Sequence, residues 1–225
     1  MKIVYPLEVV SGHLIARIGR TRTFLDTGAP ISIGRGPLQV LGHDVALRPS
    51  GFGVTPKYLS DQVGTRVDAL LGTDVLALYP FDVDYAGATC TFHRAAPPMD
   101  GVRIPATDFL KTPIVEATVA GRPVRLIVDT GAQFGYLAAS LVEGRRPLET
   151  RADFHPTLGD FTTEVHQVTI ELGGLPVSLP FGVMPPTLEA MLAPIDTQGV
   201  IGTDLFRQFR TLFNLPGGEL ILAAA

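Results

Sequence analysis

The chain has no tryptophan and a single cysteine, and its apolar runs fall well short of the roughly 18 residues that a membrane-spanning helix requires. One cysteine, Cys90, excludes an internal disulfide, so no covalent staple supports the fold; a small buried apolar role is its simplest reading. The five histidines, His13, His43, His93, His155 and His166, form neither a His-Glu-x-x-His pattern nor a cluster with cysteine. A metal site is therefore not expected, and the plain reading places these residues on the surface. A phosphate-binding glycine fingerprint is also missing, and no cofactor is implied. With 18 Lys plus Arg scattered singly against 22 Asp plus Glu, there is no basic stripe for nucleic acid or a membrane surface. The segment Met1-Lys2-Ile3-Val4-Tyr5-Pro6-Leu7-Glu8 sets a proline and an acid where a signal core would run, so a cytoplasmic address is the expectation.

What the chain does have is glycine, 24 residues, and proline, 19, around short β-branched runs such as Val124 to Val128 and Val168 to Leu172. A 46% hydrophobic content is ample for packed cores, in one domain or two small ones. The pattern predicts a mostly β protein of short strands with few short helices.

The chain also repeats itself. Leu70-Leu71-Gly72-Thr73-Asp74-Val75-Leu76 matches Val200-Ile201-Gly202-Thr203-Asp204-Leu205-Phe206, and the register continues ungapped to Cys90-Thr91-Phe92 against Leu220-Ile221-Leu222. Upstream, the segment from Leu41 to Leu47 resembles that from Leu172 to Leu179. Two duplicated lobes follow, residues 1–99 and 100–225, joined by Arg94-Ala95-Ala96-Pro97-Pro98-Met99-Asp100-Gly101, a stretch with linker composition.

Each half contains Asp-Thr-Gly-Ala after an apolar run, at Asp26-Thr27-Gly28-Ala29 and Asp129-Thr130-Gly131-Ala132. Two carboxylates face to face can share a proton and activate a water. A strand delivering Asp26 or Asp129 into a tight loop needs Gly28 or Gly131, where backbone approaches closely and a Cβ does not fit. Thr27 and Thr130 can hydrogen-bond across a pseudo-twofold axis, and the segments ending in Gly72 and Gly202 would pack beneath the loops. Asp74 and Asp204 read as first-turn helix acids. Neither triplet carries the lysine of the phosphorylated-aspartate motif of transport ATPases.

The halves are unequal. The stretch from Asp129 to Gly173 is nearly three times as long as that from Asp26 to Gly42. Within the excess, residues 150 to 166 read as a hairpin with extended arms around a turn at Leu158-Gly159-Asp160. Gly51-Phe52-Gly53 belongs by repeat alignment to a lobe-body hairpin.

This arrangement resembles the aspartic peptidases of the pepsin and retropepsin group, over nearly the whole chain. The resemblance implies a bilobal acid-protease fold in which each lobe is barrel-like and of retropepsin size. It implies an aspartic endopeptidase with Asp26 and Asp129 as catalytic dyad, acting on peptide or protein substrates and needing no metal. A flap would comprise Thr157, Leu158, Gly159, Asp160 and Phe161, carried by the second lobe alone, with Phe154 and Phe161 facing substrate. Alanine after both triplets, where pepsins place a hydroxyl, implies a mildly acidic to near-neutral optimum. A monomer is expected because one chain supplies both acids, with a homodimer as the alternative arrangement. The rival function is a catalytically silent peptide-binding or scaffold protein of the same fold.

Overall fold

Short β-branched segments punctuated by glycine turns form strands throughout the computed structural model, which describes residues 1–156 and 158–224. Helices are few and short, the longest among the described residues being Pro56–Val63. That helix starts where Thr55 accepts the Tyr58 N–H and Pro56 fills the first turn, and it stops at the left-handed Gly64. The buried side of that helix rests on Leu59 and Val63 and that of Pro186–Leu192 on Leu188, too few apolar positions for pattern reading to single out either.

A six-stranded antiparallel sheet draws three strands from each half. Its order runs from Lys2–Val10 through Thr89–His93, Phe81–Asp84, Phe209–Asn214 and Glu219–Ala224 to Val102–Phe109. At its centre Phe81 of the first half lies opposite Phe213 of the second, their rings parallel at 4.6 Å, with Phe92 and Phe206 packed alongside. Buried Asp82 accepts from His93 at 2.6 Å and from the Arg210 guanidinium at 2.8 and 3.0 Å, so its charge is paired by both halves. The expected linker, residues 94–101, carries no helix or strand.

Above this sheet the two halves use matching connections. In the first, Lys2–Val10, His13–Ile18 and Thr21–Leu25 form a meander, and the last strand pairs in parallel with Ala69–Leu71. In the second, Val102–Phe109, Thr112–Val119 and Arg122–Val128 do the same, and the last pairs in parallel with Gly199–Ile201. The parallel partners each lead into a one-turn helix, Thr73–Leu76 and Thr203–Phe206. The inequality lies between these strands. Glu149–His155, Gly159–Leu172 and Leu175–Val183 form a long meander in the second half, against the two-residue pairing of Gln39–Val40 with His43–Asp44 in the first.

Strand Gly159–Leu172 changes its covered face midway. Val165 joins the cluster that contains Ile127 and Phe134, whereas Val168, Ile170 and Leu172 turn into the main core. The hairpin turn differs from the sequence expectation. His155 pairs with Gly159, so Gly159, Asp160 and Phe161 begin the return strand. Gly159 has φ 75, in the left-handed region that favours glycine, and it stands at the start of the return strand rather than in the middle of the turn. Thr157 lies outside the described residues.

The surface reading of the histidines is also corrected: His13, His93 and His166 are buried. For two of them a hydrogen-bond partner distant in sequence, Gly131 for His13 and Asp82 for His93, offsets the desolvation that an isolated imidazole would suffer. Cys90 is fully buried, as its small apolar character suggests.

Since the Phe81 and Phe213 stack joins the halves, Phe213→Ala is expected to lower unfolding free energy by about 3–5 kcal/mol in urea titration. Fluorescent reporters in either half should then show coincident transitions at a lower urea midpoint.

Candidate active site

The strand Thr21–Leu25 ends where the Asp26 N–H donates to the Leu71 carbonyl at 3.0 Å, and Arg122–Val128 ends where the Asp129 N–H donates to Ile201 at 2.9 Å. Beyond each, the chain turns back on its own carboxylate. Asp26 Oδ1 accepts from the N–H groups of Gly28 and Ala29, both at 2.9 Å, and Asp129 Oδ1 from Gly131 at 2.7 Å.

The threonines cross between the loops. Thr27 Oγ1 accepts from the Thr130 N–H at 3.0 Å and donates to the Val128 carbonyl at 2.7 Å. Reciprocally, Thr130 Oγ1 accepts from the Thr27 N–H at 3.0 Å and donates to Leu25 at 2.8 Å. Both threonines are fully buried, and each hydroxyl donates one hydrogen bond and accepts one.

Each triplet glycine faces the other triplet's acid. A Cβ on Gly131 would stand 2.7 Å from the Asp26 carboxyl carbon, and one on Gly28 would collide with the Asp129 carboxylate. The expected reason for glycine, close approach, therefore takes a specific form: its hydrogen leaves room for the opposite carboxylate. Gly72 and Gly202 lie directly under the loops. A Cβ on Gly72 would meet the Ala29 carbonyl at 2.6 Å, and one on Gly202 would press on the Phe134 backbone. The Thr73 and Thr203 N–H groups continue the support by donating to Ala29 at 2.8 Å and Ala132 at 3.0 Å.

Asp74 and Asp204 stand in first helical turns, yet their partners differ. Asp74 receives the Ser32 N–H at 3.0 Å and hydroxyl at 2.6 Å, and that hydroxyl accepts from Gly72. The second loop has Gly135 near the equivalent point, and Asp204 is left with Arg207 at 3.7 Å. Burial raises the Asp204 pKa.

Asp26 and Asp129 are partly open to solvent but enclosed by protein on most sides. Desolvation raises both pKa values. For Asp26 the Asp129 charge adds to it, lifting the carboxyl well above its ordinary range. For Asp129 the Gly131 N–H, the Asp26 carboxyl and His155 offset part of the rise. The pair therefore retains one proton at pH values where isolated carboxyls have lost theirs. Such a pair can donate a proton and accept another within one site.

The long hairpin packs beside this pair. Tyr136, seven residues after Asp129, donates its hydroxyl to Asp153, and Phe161 lies 6.0 Å from the Tyr136 ring. Arg151 stands 5.3 Å over Phe134. Leu158 and Phe161 rest on the apolar cluster containing Ile127, Phe134 and Val200, while Asp160 is exposed. Phe154 meets Tyr58 of the first-half helix edge-on at 6.2 Å, so the hairpin reaches from one half to the other. Sequence reading misses Tyr136, Asp153, His155 and His13 around the second loop and Tyr58 under Phe154, since none belongs to a motif.

Neither a protein-family model nor a curated protein matches this chain. Among solved structures, the simian foamy virus (mac) protease in solution is 20% identical, over 36% of this chain and 94% of that one, with a TM-score of 0.27. The foamy viral protease-reverse transcriptase in complex with an RNA/DNA hybrid is 13% identical, over 47% of this chain but only 11% of that one, with a TM-score of 0.33. At scores this low neither overlap fixes a fold or an activity.

The raised carboxyl pKa values make a stability prediction. Between the ordinary carboxylate pKa, about 4, and the raised folded values, the native state binds more protons than the unfolded chain, so stability falls as pH rises through that window. Asp26→Asn, which keeps an acceptor oxygen without the charge, is expected to raise the thermal midpoint at pH 7, with the gain vanishing below about pH 4. Thermal scans from pH 3 to 8 check this, and a gain that persists unchanged at the acid end would contradict it.

Proposed function

We propose that this chain is an aspartic endopeptidase of two duplicated retropepsin-sized lobes, residues 1–99 and 100–225, with Asp26 and Asp129 as its catalytic pair. The observation that carries the reading is the mutual placement of the two carboxyls, each opposite the other's glycine and coupled in protonation. A binding module needs neither a shared proton nor two acids whose charges oppose each other.

In the proposed reaction a water held between the acids attacks the scissile carbonyl carbon. Ionised Asp129 takes a proton from that water while Asp26 gives its proton to the carbonyl oxygen, leaving a neutral gem-diol. Collapse reverses the roles: Asp129 passes its proton to the departing amide nitrogen, and Asp26 recovers one from a gem-diol hydroxyl. No acyl-enzyme forms. Burial raises the pKa of both carboxyls, which supports a pair that holds one proton for this exchange.

Hairpin 149–172 is the proposed flap, with Leu158, Gly159, Asp160 and Phe161 at its working end beside the substrate. An extended peptide would add to it as a strand; the register puts Phe161 on the face that Asp153 and Tyr136 share and Phe154 on the opposite face toward Tyr58, so the two rings do not face substrate together. The bond from Tyr136 to Asp153 and the contact of Phe154 with Tyr58 support a hairpin that spans both lobes.

Cleavage of a peptide mixture by the purified chain, abolished in both Asp26→Asn and Asp129→Asn and blocked by a statine-type inhibitor, is the expected result. Peptide binding without cleavage from mildly acidic to neutral pH would favour the silent scaffold instead. The kcat/KM profile should be bell-shaped with a mildly acidic to near-neutral maximum, and a maximum in the strongly acidic range would refute that expectation. Replacing 152–164 by a tight turn should leave a folded protein with little activity, and full retained activity would remove the flap assignment.

A further inference from the structure

We propose that His13 is a positioning residue for the second aspartate, fixing the backbone just beyond Asp129 through a contact from the first half. The inference rests on the catalytic reading of Asp129, and it adds an asymmetry that the duplicated motifs do not contain.

His13 opens strand His13–Ile18, directly after the turn at Ser11 and Gly12, and is 2% exposed. Its Nδ1 lies 3.0 Å from the Gly131 carbonyl oxygen, and its Nε2 lies 3.1 Å from the Gln133 amide nitrogen. A carbonyl only accepts and an amide NH2 only donates, so this geometry requires a neutral imidazole with its proton on Nδ1. Packing at 5.2 Å from the Phe24 ring holds the imidazole plane, and desolvation favours the neutral form. The charged groups facing it are Asp153 on the long hairpin and Arg207 beyond the Thr203–Phe206 helix, whose guanidinium abuts Gly12.

Gly131 is consequently held at both ends, its N–H on Asp129 Oδ1 at 2.7 Å and its carbonyl on His13. Gln133 is anchored as well, its side chain by His13 and its carbonyl by the Thr203 hydroxyl at 2.7 Å. The pseudo-equivalent turn in the second half is Leu110-Lys111, with φ values of 51 and 68, and the residue after it is Thr112. A threonine there has neither the reach nor the second nitrogen of an imidazole. Loss of the His13 contact frees the Gly131 peptide, weakens its donation to Asp129 and makes the ionised base harder to form.

Two variants of the full chain test this. His13→Phe keeps the packing on Phe24 without a donor, whereas His13→Asn keeps an N–H near the Nδ1 position. His13→Phe is expected to lower kcat by about 10-fold or more with KM nearly unchanged, and to move the acidic limb of the kcat profile to higher pH. His13→Asn should restore most of kcat and the parent limb. Carboxyl-carbon NMR titration gives an activity-independent readout: the Asp129 transition rises in His13→Phe while that of Asp26 moves less. Unchanged limbs and an unchanged Asp129 transition in His13→Phe, or equal impairment of both variants with unmoved limbs, would overturn the proposal. Should His13→Phe fail to fold, Gln133→Leu, which removes the donor to Nε2, must shift the Asp129 transition in the same direction; no shift overturns it. A parent that cleaves nothing refutes the peptidase reading, while the NMR comparison still decides the positioning role.

Discussion

The crossed hydrogen bonds of Thr27 and Thr130 are the constraint on which the rest of the structure turns. Each hydroxyl binds a backbone N–H of the opposite loop and the carbonyl at the end of the opposite strand, so neither loop reaches its conformation without the other. In a buried setting every one of those groups would cost about 1–3 kcal/mol if left unpaired, which makes the network all-or-none in character. The nearby packing fits around it: the glycines that admit the opposite carboxylates and the Gly72 and Gly202 segments pressed beneath.

Symmetry of the backbone does not extend to the environment. Asp74 is bound by Ser32, whereas Asp204 relies on a longer contact with Arg207. The long hairpin rises from the second half only, and His13 crosses from the first half to support the second loop. The two carboxyls, identical in their sequence motifs, therefore stand in different surroundings, while burial raises the pKa of both.

Much of this was legible in the chain. Repeated triplets and repeated apolar-apolar-Gly segments announce two loops and their supports, because those positions admit few residue types on steric grounds. The strand-rich character follows from β-branched runs between glycines. The hairpin's arms were legible, but its turn was displaced toward the N-terminus because a glycine can occupy either the middle or the end of a loop, and sequence does not distinguish them. Helix Pro56–Val63 was missed because its core contacts rest chiefly on Leu59 and Val63, too few to set a period. The roles of His13, His93 and Tyr136 were invisible for a different reason. Each depends on a partner brought near only by the fold, such as Gly131, Asp82 or Asp153, and a lone polar residue carries no mark of its future neighbour.

The central claim is that Asp26 and Asp129 form one composite acid that holds a single shared proton. Difference potentiometric titration of the parent against the Asp26→Asn/Asp129→Asn double variant tests it most directly. The account predicts two well-separated proton losses, one of them well above the ordinary carboxylate value of about 4. Loss of both protons together near that value would contradict it.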